Sequence, residues 1–196
     1  MATRLDDLPR VPIASRADWR AWLERHHVSS GSIWLVLHKK GQGPHVPYDD
    51  VVEEALCFGW VDSVVRKLDE RRSMLLLAPR KSGSAWSKPN KERVARLVAS
   101  GAMTPAGLAK VEAAKADGTW TKLDAVEALT VPKDLVAAFR RHAGSAANFA
   151  AFPRSAKRGI LEWIEQAKKP ETRAKRVAET ATLAARNERA NQWRPT

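Results

Sequence analysis

The chain has 196 residues, with 34 Lys and Arg against 22 Asp and Glu, and a formal net charge of +12 at neutral pH. That length can bury one large core or two small ones, and 44% hydrophobic with 29% charged residues is a globular balance, not a disordered one. A single cysteine, Cys57, excludes an internal disulfide framework and any multi-cysteine zinc or iron–sulfur centre.

Residues 1–13 carry Pro9 and Pro12 with little periodicity and read as an extended arm. Ser15 with Asp18 three residues on forms a short capping box, and Trp19, Trp22 and Leu23 continue at helical spacing. Residues 32–38 are apolar and β-branched, hence a strand. Residues 48–56 read as a helix with acids in its first turn, where the dipole favours them. Residues 61–68 and 72–77 are strand-like and can form a hairpin turning at Asp69-Glu70.

Beyond Pro79 the wording becomes helical. Ser87 can cap a helix through Val94 and Leu97 to Gly101, and Thr104-Pro105 starts another that stops at Asp117-Gly118. A short helix fits residues 124–129, and Pro132 opens one carrying Leu135 and Phe139. Ser155 can cap a helix with Ile160, Leu161 and Ile164 on one face, and Pro170 can start the last, from Glu171 to about Asn187. The expectation is an α+β fold, mostly helical. Residues 14–130 form a subdomain with a small three-stranded, largely antiparallel sheet, and residues 131–189 form an all-helical subdomain, with Val131-Pro132 at the junction. Residues 190–196 are expected to fray.

The N-terminus has no apolar run of signal-peptide length, and no stretch approaches the roughly 20 apolar residues of a membrane helix. A cytoplasmic protein without membrane insertion is expected. The charge is uneven: residues 1–100 carry +5 (17 basic, 12 acidic) and residues 101–196 carry +7 (17 basic, 10 acidic). Such a field suits an anionic small molecule, an acidic partner or nucleic acid, and equally a solvated Arg-rich surface. The sequence leaves the oligomeric state open.

The strings FGWVDS (58–63), PRKSGSAWSKPNKERV (79–94), GAMTPAGL (101–108) and AKKPETRAKR (167–176) resemble the YdeI/OmpD-associated, or bacteriocin-protection, family of bacterial proteins. WLVLHKKG (34–41) and ALCFGW (55–60) fit the same pattern, so the resemblance runs from about Trp19 to Arg186. It implies an OmpD-associated-type helical subdomain at residues 131–189. It also implies protection against bacteriocins or cationic antimicrobial peptides, and association with an outer-membrane porin. It implies no catalytic activity and no cofactor. A cationic chain repels cationic peptides, which disfavours their direct capture.

Three constellations could carry chemistry. Arg80, Ser84, Trp86, Ser87 and Asn90 lie where a loop enters a helix, a pattern that offers N–H groups, hydroxyls and cations to an anion. Capping by Ser87 and core packing by Trp86 account for the same residues. Trp60 and Asp62 alternate along a strand as an aromatic wall beside a carboxylate; Asp62 paired with Arg80 or Arg173 would be structural instead. Thr172, Arg173 and Arg176 follow Pro170, with the two arginines on one helix face. They suit a phosphate, a solvated face or a clasp onto the first subdomain. Cys57 between Leu56 and Phe58 reads as a buried thiol. His26, His27, His38, His45 and His142 show no metal spacing. The favoured reading is a cytoplasmic, non-enzymatic binding protein linked to stress or bacteriocin protection, with its ligand between the Trp60/Asp62 turn and the Arg80–Asn90 loop and Arg173 contributing. A nucleic-acid-binding accessory protein and a small enzyme acting on a phosphorylated or acylated metabolite are the alternatives.

Overall fold

The computed structural model describes residues 5–192. The chain divides into two compact units, residues 1–120 and 121–196. The division precedes the expected junction at Val131-Pro132 because the intervening segment is tied to the second unit. There α5 (Asp124–Glu127) buries Val126, and Arg158 of α8 (Arg154–Glu165) reaches the Glu127 carboxylate at 2.8 Å.

The first unit holds the sheet. Its strands are β1 (Arg10–Pro12), β2 (Ile33–His38), β3 (Trp60–Lys67) and β4 (Arg72–Pro79), in the order β1-β2-β4-β3. The sheet is therefore four-stranded and mixed, not three-stranded and antiparallel. The expected extended arm supplies β1, which pairs parallel with β2 and opposes Val11 to Leu35. Three residues carry too little alternation to announce a strand, and Pro12 fits an edge, where its missing N–H costs no ladder bond. The arm is held further by Trp34, whose indole N–H donates to the Leu5 carbonyl at 2.6 Å, and by Arg66, which pairs with Asp6 at 2.8 Å. A bulge between Asp62 and Val65 interrupts the β3–β4 register.

Strand β2 is buried on both faces, which explains its unbroken apolar run. Ile33, Leu35 and Leu37 enter the main core, while Trp34 and Val36 pack with Met74, Leu8 and Leu76 on the opposite face. Each fully buried aliphatic side chain contributes on the order of 2 kcal/mol. Helices α1 (Arg16–His26) and α2 (Tyr48–Cys57) cover the main-core face with Trp19, Leu23, Val51 and Leu56. Ser15 caps α1 as expected, accepting the Asp18 N–H at 3.0 Å, and the Asp18 carboxylate accepts the Ala14 N–H. Between α1 and α2, the buried Glu54 carboxylate accepts from Arg16 at 2.7 Å and from Arg20 at 2.9 Å.

Helices α3 (Lys88–Ala99) and α4 (Pro105–Ala116) complete the unit. The Ser87 side chain makes no cap hydrogen bond, so its expected capping role is corrected; the extended Ser87 backbone and Pro89 alone mark the start of α3. Thr104 does cap α4, and its hydroxyl also donates to the Cys57 carbonyl at 2.6 Å. This lashes the start of α4 to the end of α2. Gly107 sits at the junction: a Cβ there would lie 2.3 Å from the Cys57 carbonyl oxygen and 2.7 Å from that of Leu56.

The second unit is helical: α5, α6 (Lys133–Phe139), α7 (Ser145–Ala151), α8 and α9 (Pro170–Ala185). Helix α9 packs against α6, α7 and α8 and buries Val177, Ala181 and Ala184. Its small residues let neighbours approach, and the Asn148 amide donates to the Ala184 carbonyl at 2.9 Å. Helix α7 is absent from the sequence reading, since seven residues show barely two turns of periodicity. Ser155 is inside α8 and not its cap, because Pro153 already fixes the entry. Ala190 is buried where fraying is expected, and residues 193–196 of that tail lie outside the described residues. Among the described residues, no helix is long and apolar enough to cross a membrane, and no group of three His, Cys, Asp or Glu side chains is placed to hold a metal ion.

Candidate functional site

The loop between β4 and α3 begins with Arg80, whose backbone N–H donates to the Gly59 carbonyl at 2.9 Å. Gly59 has φ +74°, and a Cβ there would meet Lys110 Cγ at 2.7 Å, so the turn into β3 requires glycine. A tight turn follows, with the Ser84 N–H on the Lys81 carbonyl and Gly83 at φ +78°. This sends the Arg80 side chain inward. The residue is only 4% exposed. Its guanidinium lies 3.8 Å above the Trp86 ring, and Nη1 donates to the Ala85 carbonyl at 3.1 Å. Buried Nε has no hydrogen-bond partner.

Burial pulls the Arg80 pKa down to about 10, partly opposed by the charge of Asp62. The guanidinium is still cationic at pH 7. Among the described residues, no carboxylate forms an ion pair with it. A cation removed from water without a contacting counter-charge is costly, and an arriving anion would offset that cost.

Beside Arg80 lies a cavity of about 170 Å³, walled by Lys81, Ser84 and Trp86 from the loop and by Lys110 and Thr119 from α4 and the turn after it. Asp117 also lines it, its Oδ1 accepting the Thr119 N–H at 2.9 Å and hydroxyl at 2.5 Å, so one carboxylate stands against the cations of Arg80, Lys81 and Lys110. Those bonds hold the Asp117 carboxyl below its ordinary value. Trp120 packs on Trp86 at 5.0 Å between ring centroids, and Lys91 and Lys115 approach its face. The cavity can accept a compact anion: charge from Arg80, a hydroxyl from Ser84, and an aromatic wall from Trp86.

The structure brings Arg80, Ser84 and Trp86 together. It places the other sequence candidates elsewhere. Trp60 is buried, donates to the His27 carbonyl at 3.1 Å and packs on Trp19 and Trp22. Asp62 accepts the Tyr48 hydroxyl at 2.6 Å, and burial together with that bond pushes the phenol up to about 12. Neither lines the cavity. Asn90 accepts from Arg93 at 3.0 Å, and Ser87 does not reach the cavity either.

In the second unit, Arg173 pairs with Asp134 at 2.7 Å and Glu165 at 3.1 Å. Arg176 donates to the Trp163 carbonyl and lies over the Trp163 ring, and Thr172 precedes this pair on α9. These arginines are engaged within their own unit. Lys110 and Thr119 escape the sequence reading because they reach the cavity only through the docking of α4. The glycine at position 107, which permits that docking, is the one local signal that could have found them.

Residues 128–187 match the family model described as Bacteriocin-protection, YdeI or OmpD-Associated, and residues 11–110 match that of Domain of unknown function (DUF8412). The chain belongs to the DUF8412 family, whose model covers half of it, and carries a YdeI/OmpD-associated domain match in its second unit. The YdeI/OmpD-associated match is confined to the second unit, so the strings at 58–63, 79–94 and 101–108 belong to the DUF8412 unit instead. No curated protein and no solved structure matches the chain. The Arg80 cavity therefore belongs to the DUF8412 unit, with all its lining residues before Trp120.

Proposed function

We propose that this is a cytoplasmic, non-enzymatic binding protein whose first unit takes up a compact anion against Arg80. One observation carries the reading: a guanidinium that is 4% exposed, without an ion pair, at the wall of a polar cavity. Drug-sized ligands occupy roughly 300–1,000 Å³. A cavity of about 170 Å³ suits something smaller, such as phosphate, a phosphate monoester head or a short carboxylate. Protection against bacteriocins is the role named for the second unit's family. The net charge of +12 favours an indirect part in it, since direct trapping of cationic peptides works against like-charge repulsion.

The test is calorimetric titration with inorganic phosphate, sulfate and acetate. Charge-assisted hydrogen bonds are worth about 1.5–3 kcal/mol, so Arg80→Ala should weaken the tightest of these about 10- to 100-fold. Arg173→Ala should leave it unchanged, because that cation is already neutralised. Equal affinity in wild type and Arg80→Ala would remove the reading. Steeply salt-dependent oligonucleotide binding that ignores Arg80 would favour the nucleic-acid alternative, and turnover of a phosphorylated or acylated metabolite the enzymatic one.

A further inference from the structure

The second unit contains a larger cavity of different character. It measures about 440 Å³ and is walled by Leu129, Val136, Phe139 and Phe149, with Arg140 and Lys157 its only charged lining among the described residues. We propose that it is a binding site for one anionic amphiphile, a molecule with a flexible apolar chain and a terminal carboxylate.

Three observations carry this. The walls are almost wholly apolar and the volume falls within the roughly 300–1,000 Å³ of small-molecule sites. Water fills such a space poorly, and Val136 is left 37% exposed on it. Next, both charged liners are cations, and among the described residues no carboxylate lines the cavity to neutralise them. Arg140 ends α6, and Lys157 stands in the first turn of α8, so the two helices contribute one cation each. The Lys157 ammonium gives one hydrogen bond to the Ala150 carbonyl at 2.8 Å, which leaves two N–H groups for a ligand. Finally, Leu129 is held at φ +56°, a conformation leucine rarely adopts, at the turn where α5 ends and the cavity wall begins. Backbone strain of this kind gathers at sites that bind. The charge pair disfavours neutral lipids and cationic peptides. An α-helix is about 10 Å across, too wide for this cavity to enclose, whereas a single alkyl chain fits.

The experiment uses the full chain and monomeric decanoate, with 1-decanol and butyrate as probes of chain and charge alone. Decanoate should bind saturably at one site. From butyrate upward each methylene should tighten binding about fourfold until the cavity is full. Arg140→Glu with Lys157→Glu should weaken decanoate at least tenfold and leave decanol unaffected. Ala146→Trp, at an exposed lining position, should abolish binding of both while the circular dichroism spectrum stays native. If that variant does not fold, Ala150→Leu at the neighbouring exposed position replaces it, with the same loss expected. Arg80→Ala should change none of this, which separates the proposal from the anion reading of the first unit. Affinity that does not rise with chain length, or that survives both charge reversals, overturns it. Binding to phosphatidylglycerol vesicles without binding to decanoate would assign the cavity to a membrane surface instead. A dimer dissociated by Ala146→Trp would assign it to a second copy.

Discussion

Two glycine-to-alanine substitutions should shift stability in opposite directions. Both sites are helical, and replacing glycine in a helix interior with alanine gains about 0.5–1 kcal/mol in backbone entropy and propensity. Gly159 lies within α8, with nothing within 4 Å of an added Cβ and no positive φ. Gly159→Ala should therefore realise that gain. Gly107 lies in α4 with backbone oxygens 2.3 and 2.7 Å from the same added atom. Ordinary contact begins near 3.4 Å, so α4 must retreat from α2 by about 1 Å, straining the Thr104–Cys57 hydrogen bond. Overpacking of this size costs about 1–3 kcal/mol, occasionally more. Backbone cannot move aside as a side-chain tip can, which places the cost at the upper end. The net expectation for Gly107→Ala is a loss of about 2 kcal/mol, or about 5–8 °C in Tm. Thermal unfolding followed by tryptophan fluorescence reads mainly the first unit, because six of the eight tryptophans, Trp19, Trp22, Trp34, Trp60, Trp86 and Trp120, lie there. Far-UV circular dichroism adds the helices of the second. A Gly107→Ala protein as stable as wild type would refute the close approach of α4 to α2, and with it the placement of Lys110 and Thr119 at the Arg80 cavity.

Two further outcomes follow from ionisation. Burial pushes the Asp134 carboxyl up, but the hydrogen bond and charge of Arg173 outweigh it and hold the group below its usual 3.8. A carboxyl depressed by folding stabilises above the unfolded value and loses that contribution as pH falls through the folded one. Arg173→Ala should thus lower Tm at pH 7 more than at pH 2.5; an equal drop at both would show that the ion pair does not act through Asp134. Burial, aided by the neighbouring Glu54 charge, pushes the Cys57 thiol up to about 11. The native protein should therefore react with a thiol-specific disulfide reagent at pH 8 only after denaturant is added. Prompt reaction without denaturant would mean that α2 opens locally.

The fold was largely readable because long helices and the β3–β4 hairpin carry their own periodicity and turn chemistry. Ser15 and Thr104 cap helices as their sequence positions suggest. Short elements were not readable: β1 and α7 owe their existence to packing partners distant in sequence. The site was half readable. Arg80, Ser84 and Trp86 share one loop, so local wording groups them correctly. Strand alternation put Trp60 beside Asp62, but could not show that Trp60 belongs to a tryptophan cluster or that Tyr48 takes the carboxylate. The positive charge of α9 looked available in sequence. In the folded unit Asp134, 39 residues away, claims Arg173.

The N-terminal arm decides whether the sheet ends safely. β1 covers one side of β2, and Leu8 covers part of the face around Trp34. A chain begun at residue 14 would leave β2 as a long, apolar boundary strand with a row of unsatisfied N–H and C=O groups. Such strands template pairing between molecules. The arm acts as a built-in stopper against fibrous self-association, and shortened versions of this protein should precipitate before they unfold.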